Sequence, residues 1–278
     1  MLDTLTFGFL GGGNMATALI SGLIARGVPA GSIRVVDPFP DAQQRLVRDL
    51  RVHVAGAPDA AFGGSDVLVL AVKPQQFREA AASLLPHLPA TGAGNLIISV
   101  AAGIRLQDME RWLGGRTRLV RAMPNTPALS GMGMTGLAAP AGLSQHDRAI
   151  ASAVAEAVGK SAWVDGDEQI DAVTAISGSG PAYVFYFIEA MERAATELGL
   201  TTQQGRELAV QTFLGAATLA GQSTEPVATL RERVTSKGGT TYAALTAMES
   251  AGIGDAFVRA MQAAAARGKE MGEEFGKD

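Results

Sequence analysis

The chain contains no cysteine, only three histidines and two tryptophans, in 278 residues. Without cysteine there is no disulfide, no thiolate nucleophile and no zinc–thiolate site. His53, His87 and His146 are widely separated, show no metal-ligand spacing and lie away from both glycine-rich loops. This argues against a metal centre and against a nucleophile triad. An excess of basic charge is also missing: 23 Lys and Arg stand against 27 Asp and Glu, for a net charge of −4. The basic residues are scattered, so neither nucleic acid nor an anionic membrane is an expected partner. An unbroken membrane-length run is absent too. The uncharged stretch Thr4 to Ala25 is interrupted by Gly11, Gly12, Gly13 and Asn14, and the stretch Ala172 to Ile188 by Ser177, Gly178, Ser179, Gly180 and Pro181. Asp3 stands where a signal peptide would carry basic charge, so the expectation is a soluble, cytoplasmic protein.

Glycine, by contrast, is plentiful, and two glycine-rich segments near opposite ends of the chain suggest a site. The first, Gly8-Phe9-Leu10-Gly11-Gly12-Gly13-Asn14-Met15-Ala16, follows a strand-like run, Leu5 to Leu10, and opens a helix, Met15 to Ala25. Gly11, Gly13 and Ala16 match GxGxxA. In that pattern the first glycine makes a tight turn, the second lets the backbone approach a pyrophosphate, and the third small residue packs helix on strand. Gly27 and Pro29 then stop the helix, and a second strand, Ile33 to Val36, ends at Asp37. A carboxylate at that position bonds the ribose 2′-OH of NAD and repels the 2′-phosphate of NADP.

Up to about Trp163, short apolar strands alternate with amphipathic helices, the signature of a Rossmann-type α/β domain with a parallel sheet. Further strands are expected at Val52 to Ala55, Val67 to Val72, Leu96 to Val100, Leu119 to Ala122 and Met134 to Leu137, with capping boxes at Asp41/Gln44 and Ser144/Asp147. From Val164 onward the pattern is helical: Gln169 to Ile176, Pro181 to Leu198, Gln203 to Gly221, Pro226 to Val234, Thr241 to Ser250 and Ile253 to Glu274. The expected organisation is therefore a dinucleotide-binding domain, residues 1–163, followed by an all-α domain, residues 164–278. The helix from Pro181 is apolar on nearly every side through Tyr183, Val184, Phe185, Tyr186, Phe187 and Ile188. It must be covered either by the rest of the chain or by a second copy. The small size of the helical half favours an obligate homo-oligomer.

The second glycine-rich segment, Val234 to Leu245 (VTSKGGTTYAAL), places hydroxyls and two glycines at a helix start. Unpaired N–H groups there suit a small carboxylate. Three more loops follow strands on the side where a doubly wound sheet holds its ligands: Ala71-Val72-Lys73-Pro74, Ala101-Ala102-Gly103 and Met123-Pro124-Asn125-Thr126-Pro127. Each alone reads equally well as turn chemistry.

Taken in order and spacing, GFLGGGNMA, LAVKP, VAAGI, RAMPNTPAL, DAVTAISGSGPAYVF and VTSKGGTTYAALTAMESAG resemble the pyrroline-5-carboxylate reductase family from about Phe7 to about Gly268. The resemblance implies a Rossmann domain and a helical dimerisation domain, in homodimers that can build a larger ring. It also implies reduction of 1-pyrroline-5-carboxylate, a small-molecule substrate, to L-proline with a nicotinamide cofactor. By resemblance, Gly8, Gly11, Gly12, Gly13, Asn14 and Met15 hold the pyrophosphate. Ala71, Val72, Lys73, Pro74, Ala101, Ala102 and Gly103 line the nicotinamide side, and Met123 and Asn125 approach ring and substrate. Ser236, Gly239, Thr240 and Thr241 receive the substrate, across the interface from the other copy's Rossmann domain. Thr241 is the candidate hydrogen-bond donor to the ring nitrogen, though a helix N-terminal residue bonded only to local backbone would have the same sequence.

Cofactor choice divides family from residue. Relatives with a small hydroxyl residue in place of Asp37 use NADPH, which makes NADP(H) the expected cofactor, while the carboxylate of Asp37 keeps NAD(H) competitive. Relatives also often place an asparagine near Pro58 and Asp59, and this chain does not. Two other functions remain in view. A β-hydroxyacid reductase of similar architecture would generally use a lysine on the long helix, and none occurs between Lys160 and Lys237. A non-catalytic dinucleotide-binding regulator would not need an intact GGTT segment.

Overall fold

A computed structural model describes residues 2–90 and 94–277, so the outer bounds of the two expected domains, Met1 and Asp278, lie outside the described residues. The chain runs β1 (Phe7–Leu10), α1 (Asn14–Ala25), β2 (Ile33–Val36), α2 (Pro40–Leu50), β3 (His53–Ala55), α3 (Ala60–Gly63), β4 (Val67–Leu70), α4 (Phe77–Leu84), β5 (Leu96–Ser99), α5 (Leu106–Trp112) and β6 (Leu119–Met123). There follow β7 (Gly133–Ala138), α6 (Gln145–Glu156), β8 (Gly159–Trp163) and α7 (Gly166–Val173). The helices α8 (Gly180–Glu197), α9 (Thr202–Gln222), α10 (Val227–Arg233), α11 (Thr240–Ser250) and α12 (Ile253–Phe275) complete it.

The eight strands form one sheet in the order β3-β2-β1-β4-β5-β6-β7-β8. Every pairing is parallel except β6 with β7, which is antiparallel. Strand residues alternate between two buried layers, as the period of two requires. Phe7, Phe9, Val67, Val69, Ile98 and Val120 join the core under α1 and α6. Leu10, Leu68, Leu70, Ile97 and Leu119 join the core under α4 and α5. Covered on both faces, these strands read as continuous apolar runs.

The expected sheet needs two additions, and one helix start needs correcting. Strand β8 carries no strong sequence signal, because GKSAW is only half-buried and mixed in character. The β6/β7 pair breaks the all-parallel pattern. The Asp41/Gln44 capping box does not form: Phe39 is the N-cap and Pro40 occupies the first helical position. Pro40 has no N–H to be capped, so the signal that starts this helix is the proline. Ser144 does cap α6, accepting from the Asp147 amide at 3.0 Å. The Asp147 carboxylate is engaged by Arg118 at 2.6 Å, and hydrogen bonding from that guanidinium, with a smaller contribution from the Ser144 side chain, holds its carboxyl below the usual range against the effect of burial.

The sheet ends at Trp163, where the domain boundary was expected, but the compact units are residues 1–179 together with 264–278, and residues 180–263. The shift has a physical cause. α7 carries Asp167 and Asp171, which answer Arg121 in β6, at 2.6 and 3.1 Å respectively. After α7 the chain makes a π-helical turn over Thr174–Gly178, closed by the Ser179 amide donating to the Thr174 carbonyl at 2.8 Å.

The second unit is short of buried side chains. α8, α10 and α11 bury none, and α9 buries only Gly205 and Ala209. Thr201 and Gln204 form a capping box that starts α9. Tyr183 and Phe187 pack on Phe257, while Phe185 and Tyr186 of α8 are 62% and 69% exposed. An apolar helix left this open within one chain has the face of a subunit contact. Among the described residues no helix is long and apolar enough to cross a membrane.

Candidate active site

The strand order 3-2-1-4-5-6 within the sheet has its switch point between β1 and β4, the place where a doubly wound fold opens its ligand crevice. A cleft of about 540 Å³ lies there, lined by Gly11, Gly12, Gly13, Asp37, Arg45 and Lys73 among others. Gly11 adopts φ +97°, and a Cβ on it would come within 2.7 Å of the Ala71 carbonyl oxygen. Only glycine fits both the backbone angle and the close approach of the two loops. Gly13, the N-cap of α1, offers no side-chain cap to the first-turn amides of α1.

Asp37 is buried at the cleft floor, 7% exposed. Its Oδ2 accepts the Gly12 amide at 2.8 Å and its Oδ1 accepts the Phe39 amide at 3.0 Å. Arg45 Nη2 donates to the Gly12 carbonyl at 3.0 Å, and Arg45 Nε is buried without a partner. A carboxylate and a guanidinium, opposite in charge, thus flank the same glycine.

The other expected residues divide. Ala71, Val72 and Lys73 line the cleft, and Pro74 begins the turn behind them. Asn14 and Met15 open α1 at its edge. Gly8 is inside β1 and does not line the cleft: a Cβ there would strike Leu68 at 2.6 Å and Phe62 at 3.0 Å, so this glycine serves sheet packing. Ala101, Ala102 and Gly103 follow β5, with Gly103 covered by Phe275 and Met271. Met123 packs its Cε over Gly178. The Asn125 side chain is engaged by backbone at both ends, with Nδ2 donating to the Ser177 carbonyl at 3.0 Å and Oδ1 accepting the Met134 amide at 2.9 Å. It ties the loop after β6 to the π-helical turn, a role its sequence position did not disclose.

In the second unit, Gly239 is the N-cap of α11 and again provides no side-chain cap, leaving the Thr240 and Thr241 amides in an open first turn. Ser236 holds the preceding turn, its carbonyl accepting the Gly239 amide at 3.0 Å. Thr240 and Thr241 are exposed. Two residues that sequence reasoning did not single out take part in holding this region: Arg121, a lone charge inside the apolar strand LVRAM, and Phe275, which lies against Gly103. The charge itself was a readable signal; the terminal phenylalanine offered none.

Comparison with known proteins agrees over the whole chain. Residues 167–271 match the family model for pyrroline-5-carboxylate reductase dimerisation, and residues 6–103 match that for NADP oxidoreductase, coenzyme F420-dependent. The pyrroline-5-carboxylate reductase of Pseudomonas aeruginosa is 42% identical over 276 residues, 99% of this chain and 100% of that protein. That of Vibrio alginolyticus is 42% identical, over 96% of this chain and 97% of its own length. The solved structure of a pyrroline-5-carboxylate reductase from Coxiella burnetii superposes with a TM-score of 0.91 at 39% identity, covering 97% of this chain and 99% of that one. The Plasmodium falciparum pyrroline carboxylate reductase, solved with NADP bound, gives 0.85 at 26% identity, covering 98% of this chain and 100% of that one.

Proposed function

Because this chain belongs to the pyrroline-5-carboxylate reductase family, we propose that it reduces 1-pyrroline-5-carboxylate to L-proline in the cytoplasm with a nicotinamide cofactor, as the last step of proline biosynthesis. The observation that carries this is the presence, in one chain, of a dinucleotide cleft and a second uncapped helix start at Gly239.

The residues present fit a dinucleotide. Gly12 leaves no room for a Cβ between Leu46 and Asp37, Gly13 opens onto free space, and the α1 amides remain to take a pyrophosphate. When bound, the nicotinamide supplies the hydride. Everything else falls to the protein. The small residues of Ala71–Pro74 and Ala101–Gly103 leave room for a flat ring, and Pro74 stiffens its loop. The Thr240 and Thr241 amides and the Ser236 hydroxyl receive the substrate carboxylate, favoured by the positive end of α11, while the Gly239 amide, expected to join them, is taken by the Ser236 carbonyl. Thr241 donates a hydrogen bond to the ring nitrogen and so orients the imine. A threonine hydroxyl is a weak acid, so orientation suits it better than proton transfer: it donates to the neutral imine nitrogen, and its oxygen accepts the N–H of an already protonated imine.

The matched dimerisation region makes the protein a homo-oligomer. The proposed assembly is a homodimer through the helical unit, extended to a ring of dimers, in which one copy's Thr241 segment serves its partner's cleft. The exposed apolar side chains of α8 and α9, Phe185, Tyr186, Leu214 and Leu219 among them, support this assembly.

NADPH is the expected physiological cofactor, with NADH competitive because of Asp37. The test is direct: the purified protein with 1-pyrroline-5-carboxylate should consume NADPH and form L-proline in equal amounts, and absence of turnover with either cofactor would end the proposal. In the same assay, Asp37→Ser should shift the ratio of kcat/KM values toward NADPH by about tenfold, since it removes a negative charge near the 2′-phosphate position. A wild-type preference for NADH above about tenfold would reverse the cofactor assignment.

A further inference from the structure

The loop Ala101–Gly103 presents a particular difficulty. Residues small enough to let a ring approach have no side chain with which to anchor themselves, so the position of the loop must be set from outside. Gly103 stands in the left-handed region at φ +74°, and a Cβ on it would meet the Phe275 ring at 3.0 Å and Met271 at 3.3 Å. Phe275 is the final residue of α12, and its ring lies directly against the turn of this loop. It also packs on the core beneath α4 and α5.

The end of α12 is itself held firmly. Gly268, Gly272 and Gly276 stand one helical turn apart and bring its backbone against Asp171, Arg105 and Asp108. Arg105 Nη2 donates to the Lys269 carbonyl at 3.2 Å, and Arg111 Nη2 donates to the Gly276 carbonyl at 2.7 Å. A cation at the carbonyl end of a helix is electrostatically favoured. Three residues past the loop, at the start of α5, the Leu106 amide donates to the Asp167 carboxylate at 3.2 and 3.3 Å, and Asp167 is held by Arg121. The loop is thereby covered by the terminal turns of α12, and the chain that leaves it is tied to α7.

We propose that the C-terminal end of α12 is part of the cofactor site, with Phe275 a positioning residue that sets the Ala101–Gly103 loop for hydride transfer. This rests on the assignment of that loop to the nicotinamide side. A misplacement of about 1 Å at a reacting centre can cost on the order of 10²-fold in rate, so a single ring contact on the loop is enough to matter.

The test compares Phe275→Ala with Phe275→Leu in the full-length oligomer. Phe275→Ala should lower kcat by about tenfold, while binding of 2′-phospho-ADP-ribose, which lacks the nicotinamide, should change by less than about twofold. Phe275→Leu, which keeps an apolar contact on Gly103, should return kcat to within about threefold of wild type. If Phe275→Ala leaves kcat unchanged in an active protein, or weakens fragment binding as much as it lowers kcat, the positioning role is lost. A wild-type protein that binds 2′-phospho-ADP-ribose but shows no turnover removes the nicotinamide assignment first, and the proposal with it.

Discussion

Thr241→Ala should lower kcat/KM for 1-pyrroline-5-carboxylate by roughly 10²- to 10⁴-fold if the hydroxyl passes a proton, and by less if it only orients the imine. The competing account of this residue is a hydroxyl bonded only to local backbone. Several threonines of the helical unit turn their hydroxyls back onto the helix: Thr235 donates to the Arg231 carbonyl at 2.6 Å and Thr246 to the Tyr242 carbonyl at 2.9 Å. Among the described residues Thr241 makes no such bond, although it occupies the first turn of α11. Its hydroxyl remains available to a ligand at an uncapped, electropositive helix start. Thr241→Val should match alanine, and Thr241→Ser should keep much of the activity. Equal loss in all three would mean disturbed packing, and a fall below about threefold in Thr241→Ala would remove Thr241 from the mechanism.

The series also separates the hydroxyl from the backbone around it. The backbone amides of Thr240 and Thr241, proposed to bind the carboxylate, survive every one of these substitutions, so the KM for substrate should move far less than kcat. A variant that raised KM alone would instead point to lost ground-state binding. That outcome would assign Thr241 to the carboxylate rather than to the ring nitrogen.

The parts of this molecule legible in its sequence are those written in local pattern. VLVLAV and LIISV announce buried parallel strands, GxGxxA with its flanking strand and helix announces the cleft, and Gly199 at φ +92° ends α8 as a C-terminal glycine does. Features that depend on distant partners are not legible. Arg121 stands out as a charge in an apolar strand, but the acids that answer it lie 46 and 50 positions away, on a helix whose periodicity says nothing about them. Asn125 reads as a ligand-facing residue because it lies in a loop after a strand; it is engaged by backbone from two other segments. The end of α12 reads as the tail of an amphipathic helix, since nothing local tells that Gly268, Gly272 and Gly276 are a docking face. Strand β8 escapes because an edge strand is only half-covered and need not be apolar.

Arg121 gives the largest expected effect on stability. It is 2% exposed, with Asp167 at 2.6 Å and Asp171 at 3.1 Å from separate guanidinium nitrogens. Arg121→Met should fill much of the volume yet leave two carboxylates without their counter-charge, at a cost of about 3–5 kcal/mol. Folded domains are stable by only ~5–15 kcal/mol, so a marked drop in the urea midpoint of the first unit is expected. Arg121→Lys should recover only part of it, since one ammonium cannot reproduce a fork that reaches two acids. The decisive variant is the triple substitution Arg121→Met, Asp167→Asn, Asp171→Asn, which removes the charges together. If the loss comes from uncompensated carboxylates, the triple variant should be more stable than Arg121→Met alone, because matched removal of a buried ion cluster is often neutral. It should nonetheless remain slower than wild type in turnover, since Asp167→Asn leaves the Leu106 amide to a neutral oxygen, a weaker acceptor than a carboxylate. A triple variant no more stable than Arg121→Met would show instead that the guanidinium acts through packing, and that the two aspartates on α7 answer to some other charge.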